Sequence, residues 1–157
     1  MDFELEPPDG VGPLRLGMAL DHARSALAQL GELAGPLYAH RPGGLGIGVD
    51  TGVGGRVNAV QLDRPDELDV VRYRGVDVFG LPALEVVERL RRHTRVVPDE
   101  DEEGCFVAPD LLLSLWRAFV SDDPEEPQGY YFNSVLVARP GYYDTPAEAA
   151  HPVRACR

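Results

Sequence analysis

The residues of this 157-residue chain that could do chemistry are scattered along it. The four histidines, His22, His40, His93 and His151, form neither an H-E-x-x-H pattern nor a pair three or four apart. Those are the spacings that bring two ligands onto one helix face. Asp21 and His22 are neighbours, so on a helix they diverge by about 100° and cannot form a local relay. Ser25, Ser114, Ser121 and Ser134 lack the G-x-S-x-G surroundings of an exposed nucleophile. Cys105 follows an acidic run, which disfavours the thiolate needed for attack. Seven glycines between 43 and 55 suggest a phosphate cradle, but there is no G-x-x-x-x-G-K-[ST], no lysine and no G-x-G-x-x-G opening a helix. The simpler reading is a hairpin, 45–49 turning through 50–55 into 56–62, whose glycines let another group approach closely. The expectation is a non-enzymatic protein, and any active site would be assembled wholly in three dimensions.

Metal and cofactor chemistry find no carrier either. Cys105 and Cys156 lie 51 residues apart with no C-x-x-C pattern, so no zinc site is expected; free thiols are one reading and a single disulfide the other. The acidic runs Asp99–Glu103 and Asp122–Glu126 hold contiguous acids, whereas calcium needs oxygen ligands alternating around a turn glycine. No metal and no cofactor are expected. The runs read as solvated loops or, if both crowd one edge, as an acidic lip for a basic partner.

Charge narrows the partner. The net charge of −11 repels phosphate backbones and anionic membranes, so neither nucleic acid nor a membrane is expected. The one basic cluster, Arg89, Arg91, Arg92 and Arg95, faces Glu85 and Glu88 at the spacing of helix ion pairs. No apolar run approaches the roughly 20 residues of a membrane helix. The first residues lack the basic start and apolar stretch of a signal peptide, and the expectation is a cytoplasmic protein.

Several elements must position these groups. Leu20, Ala23, Leu27 and Leu30 recur at helical spacing between about 19 and 30. Leu84, Val87 and Leu90, widened by Val86, mark a second helix behind Pro82. Strands are expected at 37–40, 45–49, 56–62, 68–73, 111–119 and 131–138. In an alternating strand over 111–119, Leu111, Leu113, Leu115, Arg117 and Phe119 share one face and Trp116 stands on the other. There it either covers an edge of the core or anchors a partner on an open sheet face. Asp144 or Thr145 ahead of Pro146 would cap a brief helix in the tail.

The chain also echoes itself. Gly12-Pro-Leu-Arg-Leu-Gly17-Met18 and its helix match Gly75-Val-Asp-Val-Phe-Gly80-Leu81 and its helix at an offset of 63. Arg56-Val-Asn58-Ala-Val60-Gln-Leu62 resembles Tyr131-Phe-Asn133-Ser-Val135-Leu-Val137 at an offset of 75. This divides the chain into an entry segment 1–11, repeat 1 over 12–74, repeat 2 over 75–139 and a tail 140–157. The fold class expected is α+β: two tandem helix-plus-antiparallel-sheet repeats, with the helices packed on one face of the sheet.

The glycine phrase at 12–18, its helix and Leu30-Gly31 resemble the repeat of β-lactamase-inhibitory-protein-like proteins and of OmlA-type small lipoproteins. The threonine those families often place after Gly-Met is Ala19 here and Pro82 in the second unit. The resemblance implies a helix on an antiparallel sheet and a sheet surface that grips a protein. The function expected is a protein-binding module, in its concrete form an intracellular inhibitor or immunity protein with a basic partner. Trp116, Tyr131 and Tyr73 would anchor it, and Asp101, Glu102, Asp123 and Glu125 would steer it. The alternative is a small-molecule binding or sensing domain with a pocket between sheet and Gly-rich hairpin.

Overall fold

The computed structural model describes residues 1–52 and 54–140. The tail beyond 140, with Cys156 and the cap expected at Asp144 or Thr145, lies outside the described residues.

The chain opens with β1 (Asp2–Glu6), whose alternating pattern turns Phe3 and Leu5 inward. A tight hairpin of β2 (Gly10–Val11) and β3 (Leu14–Arg15) follows, then α1 (Leu20–Leu30), which buries Ala23, Ala26, Leu27 and Leu30. Next comes an antiparallel run of β4 (Glu32–Gly35), β5 (Tyr38–His40), β6 (Gly46–Thr51) and β7 (Val57–Asp63). β8 (Val70–Tyr73) turns through Arg74 and Gly75 into β9 (Val76–Asp77). Both turn residues have positive φ, 48° and 82°, the two-residue turn whose twist suits a hairpin. α2 (Ala83–Leu90) leads to β10 (Val97–Pro98), β11 (Phe106–Ala108) and β12 (Leu113–Trp116). A single-turn helix, α3 (Pro127–Tyr130), precedes β13 (Ser134–Ala138).

These strands make two sheets. One has five strands in the order β3-β2-β1-β8-β9, with β1 parallel to β8. The other has eight, β10-β11-β12-β13-β7-β6-β5-β4, antiparallel throughout. The small sheet and both longer helices close one core against the large sheet, where Phe3, Val11, Leu27, Val60, Leu62, Val86, Leu115 and Val135 meet. β2 lies directly against β7 and β13.

The expected pair of helix-plus-sheet repeats is therefore corrected. Among the described residues the molecule is mostly β, with helices of only 11, 8 and 4 residues. The phrases beginning at Gly12 and Gly75 start in hairpin turns and supply the short strands β3 and β9 before their helices begin. β3 pairs with β2 and β9 with β8 in a second sheet that shares the work of covering the core. β8 and β9 fall on opposite sides of the expected boundary at 74/75, yet they form one hairpin.

Two smaller corrections follow from registry. α2 buries Ala83, Val86, Val87 and Leu90, an i, i+3, i+4, i+7 set, and leaves Leu84 58% exposed. Glu85 pairs with Arg89 at 2.8 Å, but Arg92 lies beyond the end of α2 and forms no pair with Glu88 among the described residues. The strand expected over 111–119 shrinks to four residues. Leu112 has a φ of 55°, which breaks the strand before Leu113. At its other end the Ala118 N–H is taken by the Gln128 carbonyl and the Asn133 side chain, and Phe119 is exposed rather than buried. Among the described residues no helix is long and apolar enough to cross a membrane.

Candidate functional site

The eight-stranded sheet has a second face, and its register sets what stands there. Leu62, Val135 and Leu115 point into the shared core. Their neighbours Asp63, Ser134 and Trp116 therefore point the other way. Asp63 is directly opposite Ser134, and Ser134 is directly opposite Trp116, so the three form a row across β7, β13 and β12. An acid and an indole thus flank a small hydroxyl, with their Cα atoms two strand spacings apart, roughly 9.5 Å.

Asp63 is held by three neutral donors. The Tyr38 hydroxyl donates to Oδ2 at 2.7 Å, Gln61 Nε2 to Oδ1 at 3.1 Å and Ser134 Oγ to Oδ1 at 2.9 Å. Burial, then the bond to Asp63 and its charge, push the Tyr38 phenol well above its ordinary range, so it stays a donor. Tyr38 reaches Asp63 by lying over two glycines of β6. A Cβ on Gly46 would meet the Tyr38 hydroxyl at 1.8 Å, and one on Gly48 would sit 3.3 Å from its ring. The close approach expected over the Gly-rich hairpin is made by this ring, which fills the space there. Gln61 Oε1 is a buried acceptor that no donor reaches among the described residues.

Beside this row opens a groove of about 590 Å³ lined by Asp63, Arg64, Asp66, Trp116, Asn133 and Ser134, with Pro127 and Gln128 of α3 on its rim. It is open rather than enclosed. Arg64 is turned to one side: its Nε donates to the Phe79 carbonyl at 3.1 Å and its guanidinium lies 4.3 Å from the centre of the Tyr131 ring. Among the described residues neither Asp63 nor Asp66 carries an ion pair. Asn133 ties the walls together. Its backbone N–H donates to Trp116 O at 2.7 Å, its carbonyl accepts from the Arg64 N–H at 2.8 Å, and its side-chain oxygen accepts from the Ala118 N–H at 3.0 Å.

The acidic loops lie at the same end of the sheet as the groove, and Arg117 links them. It is 4% exposed; Nε donates to Gly104 O at 2.8 Å and Nη1 to Gly129 O at 3.0 Å. Burial lowers its pKa, with Cys105 and Asp122 acting in the opposite direction. Gly104 ends the first acidic run and Gly129 follows the second, so one buried guanidinium holds both against the same end of the sheet. Cys105 is buried, with its thiol directed at the Arg117 carbonyl at 3.7 Å. The Asp99 carboxylate accepts from the N–H groups of Asp101 and Glu102, and the Asp123 carboxylate from that of Glu125. These side chains shape their own loops while Asp101, Asp123 and Glu125 stay exposed and Glu102 is half-buried.

Of the three expected anchors, Trp116 lines the groove, half-buried. Tyr131 is half-buried behind it, facing Arg64 and edge-on to Tyr130. Tyr73 is 7% exposed in the core beside His93, on the other side of the molecule's large sheet, and offers little surface to a partner. Sequence reasoning missed Asp63, Asp66, Asn133 and Ser134 as a set. Asp63 and Asp66 flank Pro65, a residue that stops a strand and marks a turn, and the signal that could have found them was the likeness of 56–62 to 131–137, the two segments that pair as β7 and β13. Among the described residues no group of three His, Cys, Asp or Glu side chains could hold a metal ion. No known family model, curated protein or solved structure matches the chain.

Proposed function

We propose that this protein is a non-enzymatic protein-binding module whose partner is basic, of the kind an intracellular inhibitor or immunity protein would be. The observation that carries the reading is the siting of Trp116. An indole half-exposed in a groove, next to two carboxylates that pair with no cation among the described residues, and with two acidic loops at the same end of the sheet, has the anatomy of an interface centre with a charged rim. Aromatic side chains in partly desolvated clefts dominate binding energies, while rim charges govern encounter. The net charge of −11 favours a partner of opposite sign. The groove's open form suits a segment of polypeptide better than an enclosed small molecule.

The test is affinity capture from native cell extract with the wild-type chain and with Trp116→Ala in parallel. A defined basic protein retained by the wild type and lost from a folded Trp116→Ala variant is the expected result. Equal recovery on both would remove the groove from the interface.

A further inference from the structure

We propose, resting on the protein-binding reading, that the groove is built to receive one arginine side chain of the partner. Among the described residues Asp63 accepts three hydrogen bonds, two at Oδ1 and one at Oδ2, of the roughly four lone-pair sites a carboxylate offers. All three donors are neutral, so they fix the position of the carboxylate while no cation among the described residues compensates its charge. One acceptor site remains, on Oδ2, and Asp66 supplies a second carboxylate at the same groove. The complement is a cation with several donors spread in a plane, able to serve two carboxylates at once. That describes a guanidinium and not an ammonium, a compact and strongly hydrated point charge.

Trp116 adds the second half of the match. Its indole stands on the far side of Ser134 from Asp63, and Ser134 is small enough to leave a floor between them. Tryptophan is the best of the aromatic faces for a cation, and guanidinium stacks there with little loss of hydration. The chain's own Arg64 is otherwise occupied: stacked on Tyr131 and bonded to Phe79 O, it forms no ion pair with Asp63 or Asp66. The approach is favoured as well, because Arg117 gathers both acidic loops at this end of the sheet.

The experiment selects randomised seven-residue peptides displayed on phage against the full chain and, in parallel, against Asp63→Asn. Asp63→Asn is nearly isosteric and partly exposed; a melting curve confirms that it folds, and Asp66→Asn serves as a second variant. The expected result is a peptide set with arginine at one fixed position. Changing that arginine to lysine or citrulline in the synthetic peptide should weaken binding at least about tenfold, and Asp63→Asn should weaken it similarly. Quenching or a spectral shift of Trp116, the only tryptophan, should accompany binding. Selected peptides that compete for the groove but carry no fixed arginine would overturn this inference and leave the protein-binding reading standing. Saturable binding of free agmatine with no peptide selected would overturn both, placing a small guanidine in the groove. So would a selection that enriches nothing.

Discussion

Tyr38 joins two properties of the site, because the ring that fills the space above Gly46 and Gly48 also aims its hydroxyl at Asp63. Gly46→Ala should therefore destabilise the protein by about 1–3 kcal/mol, the range for overpacking. In a Tyr38→Ala background the same substitution should cost much less, since the atom it would strike is gone. A double-mutant cycle by urea unfolding reads this directly, and additive effects would refute the contact. Tyr38 also makes a pH prediction. Its phenol ionises in the unfolded chain near its ordinary value of 10.0 and only at higher pH in the folded one. Its contribution to stability is thus fully present below pH 10 and is lost as pH climbs above it. Alkaline unfolding should be less steep in Tyr38→Phe. Little of this was legible in the sequence. The glycines announced a close approach without naming the approaching ring. Pro65, two residues on, marks a turn after Asp63, and only the pairing of β7 with β13 turns its side chain toward Ser134.

At the level of elements, Arg117 illustrates why charge alone misleads. On an alternating strand it shared a face with leucines, an unlikely neighbourhood for a guanidinium. The strand ends at Trp116, and Arg117 is free to turn its guanidinium onto two loop carbonyls. Arg117→Met should strand those carbonyls and cost about 2–4 kcal/mol in chemical denaturation, with faster amide exchange across both acidic loops. Arg95→Ala is the matched control. Its contact with Asp110 is long, at 3.7 Å, and exposed, so its loss should change stability by less than about 0.5 kcal/mol. The helices were more legible. Both were read in place, because burial of one face at a 3.6-residue period survives whatever they pack against. The stripe of α2 was misread by one position, since Leu84 and Ala83 both precede the clearer Val86–Val87 pair. Leu90→Ala should cost about 2–5 kcal/mol, whereas Leu84→Ala should be close to neutral in the same melts.

For the molecule as a whole, the second sheet was the hidden element. Its strands are two to five residues long and its central pairing joins residues about 70 apart in sequence, too local in pattern and too distant in contact for periodicity to reveal. The consequence is a large sheet with one face in the shared core and the other carrying the polar row and groove. If a basic partner docks there, the two kinds of residue should act on different rate constants. Asp123→Asn with Glu125→Gln should slow association and flatten its salt dependence, while Trp116→Ala should mainly speed dissociation, as stopped-flow and surface-binding kinetics would resolve. The most direct test of the account follows the indole N–H of Trp116, a single nuclear magnetic resonance signal because the chain has one tryptophan. Titrating in the captured partner should shift or broaden that signal in step with complex formation. A complex that forms with the indole signal unmoved would contradict it.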